Sequence, residues 1–278
     1  MAFEKMPYET IKVEPLSPVI GAEISGVDLR RPLGNQTFDE INRALLEHLV
    51  IFFRDQDIDL DQQKTFGRLF GKLHIHPTAP APEGHPEILV IKADANSKAI
   101  AGNRWHTDVS CDLEPPMGSI LHMRQLPPSG GDTMFANMYA AYEALSAPMQ
   151  AFLGGLKAWH ESEHIHRGKL GHKLAAGKEY PFALHPIVRT HPETGRKCLY
   201  VNSGFTTRID GLEANESRAL LDMLFDHVRT PEFHCRFKWR EKSLAFWDNR
   251  AAQHYALWDY FPHSRLGYRV TVCGSKPV

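Results

Sequence analysis

Asn103-Arg104-Trp105-His106-Thr107-Asp108-Val109 sets an imidazole and a carboxylate two positions apart, and Gln253-His254-Tyr255 supplies a second imidazole far downstream. Two histidines and one carboxylate form the ligand set that suits a non-haem Fe(II) ion with coordination positions left open. On a β-strand, residues i and i+2 project from one face, so a strand through this segment points His106 and Asp108 at the same ion. A third ligand from His254 requires a fold that closes distant strands on one another, as a barrel does. The fold class and the candidate site therefore rest on the same three residues. Alone, an H-x-D triplet is a weak signal in a chain with 16 histidines. The surrounding sequence has to decide.

Short β-type runs dominate that surrounding sequence. Residues 11–14, 49–54, 88–92, 119–125, 132–137, 187–191, 199–202, 234–240, 244–248 and 268–273 read as strands, rich in β-branched and aromatic residues. Turn clusters such as Pro127-Pro128-Ser129-Gly130-Gly131 and Pro192-Glu193-Thr194-Gly195 separate them. Helical patterns are fewer. Thr37-Phe38-Asp39-Glu40 predicts a capping box ahead of Ile41, Leu45 and Leu49 at helical spacing. Residues 61–70 predict a second helix ended by Gly71, and 216–228 a third with Leu220, Leu221, Leu224, Phe225 and Val228 as its core stripe. Many strands with few helices predict a mainly β fold with flanking helices, a double-stranded β-helix of jelly-roll, cupin-like type, with 1–278 as one domain.

Composition narrows the function classes. Hydrophobic content of 42% and charged content of 23% describe a globule with a sizeable core. A net charge of −1 gives no electrostatic case for nucleic acid or an anionic membrane. No apolar run of transmembrane length occurs, and residues 1–9 lack a signal-peptide core. Cys111, Cys198, Cys235 and Cys273 form no C-x-x-C pair, which predicts free thiols in a reducing cytoplasm. A homo-oligomer, dimer or tetramer, is expected.

The motif around His106, Gly130-Gly131-Asp132-Thr133, Trp247-Asp248-Asn249-Arg250 and Gln253-His254-Tyr255-Ala256 occur in that order. On these segments the chain resembles the taurine dioxygenase (TauD/TfdA) family, which also contains 2,4-dichlorophenoxyacetate and alkylsulfatase-type enzymes. The likeness runs from about residue 21 to 274. It implies Fe(II) held by His106, Asp108 and His254, with 2-oxoglutarate and O₂ as cosubstrates. It also implies that Arg265 binds the far carboxylate of 2-oxoglutarate, as a guanidinium can with two parallel donors, and that Thr133 assists there. Arg269, His76 and Phe205 then fall where the family contacts a small anionic organic substrate, a sulfonate, sulfate ester or aryloxyalkanoate.

The likeness is uneven over the substrate pocket. Ala79 and Gly102 stand where taurine enzymes carry a tyrosine and an asparagine, which predicts room for an anion larger than taurine. Residues 160–180 show no clear match, and they fall at the family's mobile lid. One rival motif remains. His160-Glu161-Ser162-Glu163-His164 is a literal H-E-x-x-H, which needs both histidines on one helical face. Gly154-Gly155 before it and Gly168 and Gly171 after it make a poor helix, so the zinc peptidase reading is set aside.

Overall fold

The computed structural model describes residues 7–76, 81–100, 102–166 and 179–278. Its larger sheet has seven strands in the order Lys12–Pro15, Ala22–Ser25, Val50–Phe53, Leu244–Asp248, Gly118–Gln125, Arg265–Val272, Ile88–Ala93. Neighbours are antiparallel except Ala22–Ser25 with Val50–Phe53. The smaller sheet that faces it pairs His234–Phe237, Thr133–Asn137 and Ala252–Ala256, all antiparallel, and two further small sheets join Thr206–Ile209, Lys157–Glu161 and Phe182–Pro186, and Lys197–Leu199 with Val188–Thr190.

The apolar runs explain this layering. Val50-Ile51-Phe52-Phe53 and Leu244-Ala245-Phe246-Trp247 are apolar at every position because both sheet faces are covered. Phe52, Leu121, Met123, Ala245 and Trp247 pack toward the smaller sheet with Phe135 and Phe237. The alternate residues Ile51, Phe53, Ile120, Leu244 and Phe246 pack toward Ile41, Ala44, Leu45 and Phe66 of the helices Asn35–His48 and Leu60–Arg68. Phe52 stacks on Phe237 with ring centroids 3.8 Å apart, joining the two sheets. Burying one such ring contributes about 1.5–3 kcal/mol. The result is the expected mainly β jelly-roll core with helices on its outer face.

Two local expectations fail. The helix Asn35–His48 starts two residues before Thr37, with Gly34 as N-cap and no side-chain cap. Glu40 accepts instead from the backbone N–H groups of Glu9, Thr10 and Ile11, tying down the N-terminal segment, so it is not free to close a capping box. The segment through His106 is also not a strand. His106 makes an isolated bridge to His254, and Asp108 lies in a turn followed by Val109 with φ 49°. The predicted second helix is present as Leu60–Arg68, and Asp59 and Gln62 supply a reciprocal capping box. The third is Ala214–Val228. Four strands escaped the sequence reading: Ala22–Ser25, Phe182–Pro186, Thr206–Ile209 and Ala252–Ala256.

Candidate metal centre

His254 sits on Ala252–Ala256 with the same parity as Ala252, so it faces the space between the sheets, where its ring lies 4.7 Å from Trp247. The chain brings His106 beside it by a backbone bridge: His106 N–H donates to the His254 carbonyl at 3.1 Å, and His254 N–H returns the bond at 2.8 Å. The turn after His106 then swings Asp108 in. One ligand atom from each of His106, Asp108 and His254 lies within 4.8 Å of the others, and all three residues are buried. Convergence is thus achieved by a bridge and a turn, not by strand periodicity.

The donor set fits a divalent transition metal. His106 Nδ1–H donates to the Arg104 carbonyl at 2.8 Å, which leaves its Nε2 lone pair free for an ion. Burial lowers the His106 and His254 pKa values, so both imidazoles are neutral ligands at physiological pH. Asp108 Oδ1 lies 3.8 Å from His106 Nε2 and 3.9 Å from His254 Nε2. Burial alone raises the Asp108 carboxyl, but the Arg269 charge and a Ser119 hydrogen bond hold it well below the usual carboxylate range. It is a carboxylate at any working pH. Arg269 Nη1 donates to the same Oδ1 at 2.5 Å, whereas Ser119 Oγ donates to Oδ2 at 2.7 Å.

Arg265, Gly267 and Arg269 share the inward face of Arg265–Val272, since Gly267 meets Met123 and Leu121 there. At Gly267 a Cβ would come within 2.7 Å of Met123 Sδ, so a larger residue between the arginines must displace that side chain. Arg265 is 5% exposed, its Nε has no hydrogen-bond partner, and among the described residues it makes no salt bridge. Asp132, the acid nearest in the chain to Thr133, is taken by Arg236 at 2.7 Å. A buried guanidinium without a carboxylate is costly unless a ligand supplies one. Trp239, unremarked in the sequence, lies 5.7 Å beneath the Arg265 guanidinium and donates through Nε1 to Thr133 Oγ1 at 3.0 Å. It joins the two residues that the family resemblance assigns to 2-oxoglutarate.

Arg269, His76 and a further histidine, His74, line one small pocket with Glu87 and Thr271. Among the described residues Arg269 Nε has no hydrogen-bond partner. Burial and the Arg269 charge lower the His74 pKa. Phe205 is half-buried in a turn whose N–H donates to Asn202 Oδ1 at 2.8 Å. Next to it, a Cβ on Gly204 would come within 2.7 Å of His106 Cβ, so this turn packs directly on His106. Gly102 offers no open room: its φ is +84°, and a Cβ there would lie 3.1 Å from His106 Cε1. Ala79 and residues 167–178 of the lid lie outside the described residues.

The H-E-x-x-H motif is split between elements. His160 is on the strand Lys157–Glu161, fully buried and 2.9 Å from Ser110 Oγ, while His164 is on the turn Glu163–His166 and bonds the Gly204 carbonyl at 2.9 Å. The two do not share a helical face. His164→Ala should leave Mn(II) affinity within about threefold of wild type, as a surface change outside the ligand set; loss of Mn(II) binding in a calorimetric titration would revive the motif.

Two buried imidazoles and a carboxylate beside a guanidinium without a salt bridge fit a 2-oxoglutarate-dependent dioxygenase, and relatives are of that class. The chain belongs to the taurine catabolism dioxygenase TauD, TfdA family, which it matches over residues 12–271. It is 35% identical to an alpha-ketoglutarate-dependent sulfonate dioxygenase of Saccharomyces cerevisiae, over 99% of this chain and 70% of that protein. It is 37% identical to an alpha-ketoglutarate-dependent sulfate ester dioxygenase of Pseudomonas putida, over 96% and 91%. The crystal structure of a putative alpha-ketoglutarate-dependent taurine dioxygenase from Burkholderia xenovorans superposes with a TM-score of 0.86 at 42% identity, covering 96% of this chain and 94% of that one. The crystal structure of AAD-2 in complex with Mn(II) and N-oxalylglycine superposes with a TM-score of 0.81 at 32% identity, covering 97% and 99%. The protein is an oxidoreductase. Among the described residues no helix is long and apolar enough to cross a membrane.

Proposed function

We propose that the enzyme hydroxylates a small anionic organic substrate, a taurine-like or larger sulfonate, with Fe(II) held by His106, Asp108 and His254. The observation that carries this reading is the buried ligand cluster beside the uncompensated Arg265. When bound, Fe(II) with 2-oxoglutarate and O₂ supplies the oxidising power, yielding succinate, CO₂ and a hydroxylated substrate carbon. Everything else falls to the protein. Arg265 forks two donors onto the far carboxylate of 2-oxoglutarate, and Thr133, whose hydroxyl oxygen is occupied by Trp239, directs its proton at the same group. Arg269 offers its unpaired Nε, with His74 and His76, to the substrate anion. Burial of the ligands excludes water and strengthens each of these contacts.

Where the hydroxylated carbon bears a sulfonate, its C–S bond breaks with the electron pair leaving on sulfite. The hydroxyl proton is lost as an aldehyde forms. A sulfate ester or aryloxyalkanoate cleaves by the same hydroxylation, releasing sulfate or a phenol, and the sulfate ester dioxygenase relative supports that second reading. Three oxygens arranged around sulfur suit a guanidinium flanked by two histidines as well in an ester as in a sulfonate. Of the two positions that suggested a larger pocket, Gly102 faces His106 and so contributes no space. Four free cysteines support a reducing, cytoplasmic setting, and a homo-oligomer belongs to the same reading.

A panel of sulfonates, sulfate esters and aryloxyalkanoates, read by succinate formation, tests the assignment. One of these anions should increase succinate formation above the substrate-free rate, and silence across all three classes would refute the substrate proposal. Against the best substrate, Arg269→Ala should raise KM about 10–100-fold, as loss of a charge-assisted hydrogen bond requires, with little change in the 2-oxoglutarate requirement. A rise confined to 2-oxoglutarate would exchange the roles of the two arginines.

A further inference from the structure

Asp108 has two carboxylate oxygens, and the fold engages them differently. We propose that Ser119, oriented by Asn249 and Trp247, is a positioning residue that confines Asp108 to single-oxygen coordination and so keeps the remaining metal positions open. This rests on the metal-centre reading above and concerns how that centre is held.

Trp247 sets the direction of every hydrogen bond in the relay. An indole N–H can only donate, so the Asn249 atom 3.0 Å from Trp247 Nε1 is the amide oxygen Oδ1. The same oxygen lies 3.3 Å from the Asp108 backbone nitrogen and 3.3 Å from Thr107 Oγ1. The amide nitrogen therefore faces Ser119, and it donates to Ser119 Oγ at 3.0 Å. A serine hydroxyl has one proton. With Asn249 donating to its oxygen, that proton goes to Asp108 Oδ2 at 2.7 Å. Ser119 is 0% exposed, Asn249 1% and Trp247 2%, so bulk water does not compete for any bond in the relay.

The consequence lies in which oxygen remains. Oδ1 faces the two Nε2 atoms, at 3.8 and 3.9 Å, and also accepts from Arg269, while Oδ2 is held by the Ser119 hydroxyl, a hydrogen bond to an ionised acceptor. Without that bond, the carboxylate can rotate and chelate with both oxygens, as Asp and Glu do at other metals. A bidentate Asp108 takes a fourth position on an octahedral ion. Chelation of a 2-oxo acid together with O₂ needs all the positions that three protein atoms leave. Ser119 would thus preserve function by denying the metal an extra ligand.

Mn(II) tests this without turnover, through the water-proton relaxivity per bound ion. The wild-type site keeps three water positions, and Ser119→Ala should lose one, lowering inner-sphere relaxivity by about a third. Ser119→Thr keeps the hydroxyl and should retain the wild-type value. Ser119→Cys, with a weak S–H donor, should fall between them. Wild-type relaxivity in Ser119→Ala, with one Mn(II) bound per chain, overturns the proposal and leaves the metal centre standing. If the alanine variant does not fold, the cysteine variant decides, and a wild-type value there overturns it equally. Asp108→Ala is the separate control. Undiminished Mn(II) binding in that variant overturns the metal-centre reading and the positioning role with it.

Discussion

Asp108→Ala should abolish 2-oxoglutarate-dependent succinate formation and also destabilise the metal-free protein by about 3–5 kcal/mol, the usual cost of breaking a buried ion pair from one side. Loss of activity follows from removing the single anionic ligand, since neutral imidazoles alone give a divalent ion no charge compensation. Loss of stability follows from Arg269, which is 12% exposed at its side chain and would be left facing two imidazoles with no carboxylate. His106→Ala and His254→Ala should be equally inactive. Among the described residues His254 Nδ1 has no hydrogen-bond partner, so His254→Ala strands none of them and should cost only the cavity it leaves. Denaturant melts in the presence of a chelator separate the two effects. Adding Arg269→Leu to Asp108→Ala should restore part of the stability and none of the turnover. Near-normal succinate formation in any of the three ligand variants would remove the site assignment altogether.

Arg265→Ala has the second large effect, with the opposite stability signature. Loss of a charge-assisted hydrogen bond, worth about 1.5–3 kcal/mol, should raise the half-saturating 2-oxoglutarate concentration about 10–150-fold. Arg265→Lys should recover only part of this, since a point charge cannot fork onto a carboxylate. Metal-free and cosubstrate-free, the alanine variant should be no less stable than wild type. Burial already lowers the Arg265 pKa, and Tyr260 and Asp132 offset that desolvation only in part. With Mn(II) present, 2-oxoglutarate should raise the melting temperature of wild type and fail to raise that of Arg265→Ala at the same concentration. An unchanged 2-oxoglutarate requirement would show that the guanidinium serves something else.

Apolar runs make much of the larger sheet legible in the sequence alone. Val50-Ile51-Phe52-Phe53 is β-branched and aromatic at every position, and its strand lies almost where expected. Ala252-Gln253-His254-Tyr255-Ala256 carries no such signal, because its strand is made by pairing with Thr133–Asn137 and not by its own propensity. The cluster His106, Asp108, His254 was nameable from residue types and family likeness. Its geometry was misjudged, because the turn at Asp108 depends on Asn249, more than a hundred residues away in the chain, accepting from the Thr107 hydroxyl and the Asp108 N–H. Trp239 beneath Arg265 and His74 beside His76 were missed for the same reason. Neither residue type advertises a role until its neighbour is known.

By itself, then, the sequence determined which side chains are available for chemistry and which segments must be buried on both faces. Those properties reside in single residues and in local spacing. Only the tertiary structure decided which oxygen of Asp108 faces the histidines, which arginine is paired and which is left uncompensated. Ion pairing, burial and hydrogen-bond direction are set by contacts between distant segments. Ser119 illustrates the difference: in the chain it is one small polar residue in an apolar strand, and in the fold its single proton holds Asp108 Oδ2.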